Sequence, residues 1–133
     1  MIIDYSNEVF TAIGNAVRAK YGNTIAIVGE NVSQPAVLPC VAMDETYNVP
    51  SQLSSSDAEE YAAVTYRIQV FASGEGKRSK AREIFAVVAE TCHSLNLMRK
   101  TYSPTPDVYN SSIYQISATF EADIRHDGMI FRR

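Results

Sequence analysis

A chain of 133 residues, 46% apolar and 20% charged, reads as a single domain over 1–133. It is long enough to bury roughly two-thirds of its unfolded surface without a staple, and its composition excludes disordered, collagen-like and coiled-coil classes. A formal charge of -3 argues against a partner bound through phosphates, which needs a basic surface or stripe. No apolar run reaches the length of a membrane span, and Met1-Ile2-Ile3-Asp4-Tyr5-Ser6 lacks the pattern of a secretory signal, so folding in a reducing cytoplasm is expected.

In chain order, Asp4 or Ser6 can cap a helix whose apolar positions Val9, Phe10, Ile13, Ala16, Val17 and Tyr21 form one stripe. Arg18 and Lys20 suit its last turn and Gly22-Asn23 ends it. Gly14 inside it costs about 1 kcal/mol relative to alanine, so a close neighbour is expected there. Met1 to Ile3 either lead into this helix or form an arm reaching a partner. Thr24 to Val28 is short and β-prone, an edge strand or a connector. Ala36 to Glu45 is a strand broken by Pro39, so it lies at a sheet edge there or starts at Cys40. Tyr47 to Glu59 is serine-rich without an apolar period. It is expected to be the flexible tip of a long hairpin in which Met43-Asp44 pairs antiparallel with Ala62 to Val64, either solvated or holding a partner.

The two clearest periodicities stand side by side between Glu60 and Leu97. Ala62, Val64, Tyr66, Ile68, Val70 and Ala72 alternate with Ala63, Thr65, Arg67, Gln69 and Phe71, the pattern of a half-buried strand. Ala81, Ile84, Phe85, Val88, Cys92 and Leu95 recur at helical steps, and Asn96 closes that helix. Ser73 to Lys80 connects the two. Leu97 to Tyr102 reads as a short extended segment, ended by an extended turn at Ser103-Pro104-Thr105-Pro106-Asp107. From Ser112 a long strand follows, with Tyr114, Ile116, Ala118, Phe120, Ala122 and Ile124 on one face. Asp127-Gly128 suits a type I′ turn, after which Ile130-Phe131 folds back before a short C-terminal tail. The expected class is α+β, a two-layer sandwich of an antiparallel sheet with two helices packed mainly on one face.

Few residues could carry catalysis. Cys40 and Cys92 share no metal-ligand spacing and read as buried small hydrophobes, with a disulfide left open. Cys92 and His93 are adjacent on a helix and so point apart, and His126-Asp127 falls in a turn. Gly74-Glu75-Gly76-Lys77 lacks the rest of a phosphate-binding loop, and Asp57, Glu59 and Glu60 read as a solvated acidic loop before a cation site. No catalytic, cofactor or metal residue is assigned, and the expected protein is not an enzyme. RNA binding by the sheet face is disfavoured, because Tyr66, Phe71, Tyr114 and Phe120 do not form paired stacking motifs.

Charge points instead to assembly. Lys77, Arg78, Lys80 and Arg82 crowd the start of the second helix, where each cation costs roughly 0.3–1 kcal/mol at low salt. Either acidic groups lie nearby or the helix starts later, at Ser79. Asp57, Glu59 and Glu60 stand at the other end of the preceding strand. Asp57, Glu59, Glu60, Lys77, Arg78 and Lys80 are therefore the candidate interface, suited to head-to-tail closure of a ring.

The chain resembles the tail terminator and tail completion proteins of long-tailed bacteriophages. The resemblance runs through the N-terminal helix (Ser6 to Lys20), the proline-led strand (Pro35 to Glu45), and the strand Val64-Thr65-Tyr66-Arg67-Ile68-Gln69-Val70-Phe71. It continues through Lys77-Arg78-Ser79-Lys80-Ala81, the helix with Ile84-Phe85-Ala86-Val87-Val88, Leu95-Asn96-Leu97-Met98-Arg99, and the last strand from Tyr114 to Ala122. It implies a structural virion protein, made in the host cytoplasm, that forms a ring, commonly a hexamer, at the head-proximal end of the tail tube. Such a ring stops tube polymerisation and offers the head-docking surface. The implied partners are further copies of itself, the tail tube protein and head–tail connector or neck proteins. No cofactor, membrane or specific nucleic acid is implied, though DNA would pass through the ring. Another neck or baseplate subunit, or a small ligand-binding ferredoxin-like domain, are the alternatives.

Overall fold

The computed structural model describes residues 4–29, 39–53, 59–106, 113–125 and 127–132. Helix α1 is Ser6–Tyr21. An Asp4 carboxylate oxygen accepts from the Ser6 amide at 3.1 Å and the Ser6 hydroxyl at 2.7 Å, serving an amide group that helix starts leave open. Val9, Ile13, Gly14 and Val17 are its buried stripe, and Gly22 stops it with a φ of 70°, a left-handed conformation that glycine adopts without penalty.

Gly14 does face a neighbour, Ile27, but a Cβ there would sit 3.7 Å from the Ile27 side chain and 3.5 Å from the Arg18 guanidinium. These are ordinary contact distances, so the missing side chain is not required. Gly14→Ala is expected to stabilise the protein by about 0.5–1 kcal/mol, read as a higher urea midpoint. A lower midpoint would mean that α1 has to shift to admit the methyl.

The sheet contains β1 (Ala26–Val28), β2 (Cys40–Leu53), β3 (Glu59–Ser73), β4 (Met98–Pro106), β5 (Ile113–Arg125) and β6 (Ile130–Arg132), with α2 (Lys77–Ser94) between β3 and β4. The order is β1-β2-β3-β5-β4, and β6 pairs with β5 beyond the end of β4. Among the described residues only β1 and β2 pair in parallel. Because β5 runs antiparallel to both β3 and β4, those two are parallel to each other, and β3-α2-β4 is a split crossover unit. The α+β sandwich read from the sequence is present.

Several details differ from the sequence reading. β2 begins at Cys40, and the Pro39 carbonyl accepts from the Ala26 amide at 3.0 Å. It then runs on through Tyr47–Leu53, so the first half of the expected flexible loop is strand, and residues 54–58 lie outside the described residues. The hairpin is antiparallel as expected, but Asp44 pairs with Arg67, and Ala62 to Val64 pair with Pro50 to Asn48. β4 continues through Pro104 and Pro106. It is an edge strand, where an absent N–H costs least, so the prolines extend the chain without turning it.

The Asp127-Gly128 pair does not make a type I′ turn, which needs positive φ at both central positions. Gly128 has a φ of 92°, and among the described residues Asn96 is the sole non-glycine at positive φ. Gly128 N–H donates to the Arg125 carbonyl at 2.9 Å and Arg125 N–H to the Met129 carbonyl at 2.8 Å. This is the pattern of a three-residue loop closed by a left-handed glycine.

One face of the sheet carries the main core. Ala62, Val64, Tyr66, Ile68, Val70 and Ala72 of β3 and Ile116, Ala118, Phe120, Ala122 and Ile124 of β5 are all buried against Val9, Ile13 and Val17 of α1 and Ala81, Ile84, Phe85, Val88 and Cys92 of α2. On the other face a smaller cluster joins Cys40, Ala42, Phe71 and Ile113, with Ala26 and Val28 packed beside it. The β3 strand is thus buried on both faces near Phe71, more than half-burial alone predicts. Cys40 and Cys92 are both free and buried and sit in these separate clusters, so they do not bridge.

The helices run antiparallel. Leu97 N–H donates to the Cys92 carbonyl at 2.9 Å and Asn96 N–H to that of His93 at 3.0 Å, with Asn96 left-handed at φ 64°, a Schellman ending for α2. Asn96 Nδ2 then donates to the Ile130 carbonyl at 3.3 Å, which fixes this end of α2 beside β6. α1 begins at the same end, where the Tyr5 ring packs on Gly128, and leads up to β1 beside Cys40.

Candidate assembly surfaces

Of the candidate interface residues, Asp57 lies outside the described residues. Glu59 and Glu60 occupy the first two positions of β3, Glu59 opposite Leu53. Lys77, Arg78 and Lys80 form the first turn of α2, with Arg78 and Lys80 exposed and Lys77 half-buried. β3 separates the two groups by about 45 Å at roughly 3.3 Å per residue. One subunit therefore keeps its opposite charges apart.

The helix starts at Lys77, not Ser79. Gly76 precedes it with a φ of 72°, no side chain caps it, and its first turn contains no acidic residue. Lys77, Arg78, Lys80 and Arg82 thus sit at the positive end of the helix dipole, the unfavourable end for cations. By contrast α1 has Glu8 in its first turn and Arg18 and Lys20 in its last, where its own dipole favours them.

A second acidic group emerges at the opposite end of the helix layer, built from residues far apart in the sequence. Asp4 and Glu8 open α1, and Glu45 lies on β2 directly across from Tyr66. Beside them is a cleft of about 320 Å³ whose lining includes Phe10, Gly29 and Met43 as well as Ser6, Asn7, Thr11, Asp44 and Glu45. Burial pushes the Glu45 carboxyl above its ordinary range; the Asn48 amide donating at 3.1 Å opposes this, and the Asp4 charge adds to it. Asp4 is held below its usual range by its bonds from Ser6. Tyr66 is 0% exposed, and its hydroxyl has no hydrogen-bond partner. Burial first, then the charges of Glu45, Asp4 and Glu8, raise its pKa. Sequence reading missed this group, though one signal was present: Glu45 continues the inward parity of Val41 and Met43, a carboxylate at a core position.

The uncovered face of the sheet is mixed. Asp44 and Arg67 form a two-pronged ion pair at 2.9 and 3.2 Å, and the Thr101 and Thr119 hydroxyls meet at 2.8 Å. Toward the β5–β6 turn the row Val49, Ala63, Asp123, Phe131 crosses four strands. Val49 and Phe131 are exposed there, as are Tyr47 and Met129.

His93 is exposed on α2, beside a cleft of about 230 Å³ that includes Arg99 and Phe120, while Cys92 points into the core. His126 lies outside the described residues. Burial pushes the Cys92 thiol up to about 12 and raises that of Cys40, which keeps both in the unreactive thiol form. Among the described residues no group of acidic, histidine or cysteine side chains is arranged to hold a metal, and no described helix is long and apolar enough to cross a membrane.

No protein-family model matches the chain, and no curated protein sequence is similar to it. Among solved structures, a chain from the virion of a native gene transfer agent particle matches with a TM-score of 0.58 and 14% identity, over 87% of this chain and 93% of that one. The two share a fold across nearly their whole lengths.

Proposed function

We propose that this chain is a structural subunit of a phage-like virion, and that it acts as a tail terminator. In this reading, copies close into a ring, six in number, at the head-proximal end of the tail tube. One face of the ring matches the last tube layer and stops further addition; the other receives the head through its neck proteins. The observation that carries the reading is the fold shared with a virion chain of the gene transfer agent over 87% of the length. The polarised charge supports it. Arg18, Lys20, Lys77, Arg78, Lys80 and Arg82 gather at one end of the subunit and Glu59 and Glu60 stand at the other, while Asp4, Glu8 and Glu45 lie between them, level with the middle of β3. Unlike ends favour heterologous contacts, which generate rings when the rotation closes. Pro104 and Pro106 remove two donors from the β4 edge, which favours the charged ends over edge-to-edge pairing along that part of the strand.

Light scattering at low salt is expected to give a ring near six times 14.7 kDa that dissociates as salt rises. Added to growing tubes of the tail tube protein, the chain is expected to halt elongation and appear by electron microscopy as density at one end. Tubes that keep growing with bare ends would overturn the terminator role. A salt-insensitive dimer would favour the ligand-binding alternative.

A further inference from the structure

We propose that copies of this chain join edge to edge: the open side of β2 in one subunit pairs antiparallel with β4 and β6 of the next, so that the sheet runs on between them. This rests on the ring reading, and it adds a seam to the contact between charged ends.

The two edges fit each other along their length. Among the described residues β1 covers β2 at Cys40–Ala42 only, and from Met43 to Leu53 no strand lies against its outer side. The Pro39 carbonyl bonds to β1, and backbone groups along a strand turn to alternate sides, so Met43 and Glu45 turn theirs outward as well. That is a template for another strand. At the far side of the sheet β4 and β6 form the other edge. Carried straight across, the pairings set Met43 level with Tyr102, Glu45 with Arg99, Tyr47 with Met98 and Val49 with Phe131. Pro104, which has no N–H to give, falls level with Val41, where β1 already occupies β2. The half of β4 that its prolines close is the half whose counterpart is taken.

Side chains match in the same register. The charged residues of β2 are Asp44 and Glu45, both acidic, and those of β4 are Arg99 and Lys100, both basic. Glu45 pairs across from Tyr66 and Arg99 across from Phe120, so both belong to the helix side of the sheet. A cleft opens beside Glu45, and Arg99 is exposed, its guanidinium over its own Tyr102 ring at 5.5 Å. On the other face the exposed apolar side chains divide between the two edges, Tyr47 and Val49 on β2 and Phe131 on β6. Within one subunit Val49 and Phe131 stand three strand spacings apart, about 14 Å, and cannot cover each other. Between subunits they can. Because β4 and β6 run antiparallel to β2, a rotation about an axis along the strands brings the next copy in with the right strand direction. Each copy uses one edge per neighbour, the kind of contact that closes into a ring.

The test uses the full chain at low salt. Val49→Cys protein mixed with Phe131→Cys protein is expected to form disulfide-linked pairs under a mild oxidant, and neither variant alone to form them; Cys40 and Cys92 are buried and take no part. A chain carrying both substitutions is expected to give a ladder of linked copies on a denaturing gel. In parallel, Glu45→Arg and Arg99→Glu are each expected to fall to the monomer mass of 14.7 kDa. The chain carrying both is expected to regain the assembled mass, because opposite charges face each other again. Circular dichroism shows that the variants fold, and the disulfide result stands apart from the charge variants. Assembled mixtures in which Val49→Cys and Phe131→Cys do not link while Glu60→Cys and Lys80→Cys do, or folded charge variants that assemble like the wild type, would overturn the seam and leave the ring reading standing. A wild type that stays monomeric both in solution and on tail tubes would overturn both.

Discussion

Phe120→Ala is expected to destabilise the protein by about 3–5 kcal/mol. Phe120 is 2% exposed and sits on β5 between Tyr66 of β3 and Arg99 of β4. Its ring lies 6.3 Å from that of Phe85, which in turn meets Tyr102 at 5.0 Å. The ring therefore holds α2 onto the sheet through a chain of aromatic contacts, each worth about 0.5–1.5 kcal/mol beyond burial. The neighbouring cleft at His93 and Met98 lets solvent or side chains reach part of the vacated space, which limits the cost to the lower half of that range. Against a total stability of roughly 5–15 kcal/mol, urea unfolding followed by circular dichroism should show a clearly lowered midpoint. A loss below about 1 kcal/mol would show that α2 is not seated on β5 at this position.

Tyr66→Phe should act in the opposite direction, raising stability by about 1–3 kcal/mol. That is the usual cost of a buried polar group left without a partner, and the phenyl ring keeps the same packing against the core. A variant less stable than the wild type would mean that the hydroxyl is satisfied within the subunit.

The sequence made β3, α2 and β5 plain because each buries one regular stripe: Val64, Tyr66 and Ile68; Ile84, Phe85 and Val88; Ile116, Ala118 and Phe120. Where the backbone steps out of period the pattern disappears. The bulges between Glu45 and Tyr47 and between Pro50 and Gln52 shift the parity of β2, so Tyr47–Leu53 lost its alternation and read as loop. Pro104 and Pro106 read as a break because a single sequence does not say which strand will be at the edge. The basic half of the candidate interface was legible as a run of neighbours in one helix turn. The acidic corner was not. Asp4 and Glu45 come together only when α1 lies along β2, and no local pattern encodes that meeting.

The central position of β3 has a consequence for the timing of synthesis. Its first partner, β2, precedes it across a short connection, but β5 is complete only at Arg125, 52 residues after Ser73 (125 − 73). At about 5–20 residues per second, the ribosome needs roughly 3–10 s to make that stretch. Throughout that interval the nascent chain holds a hairpin with one open edge, and Val64, Tyr66 and Ile68 lack their final cover. These seconds are when a chaperone, or a second nascent copy, has most to gain by binding.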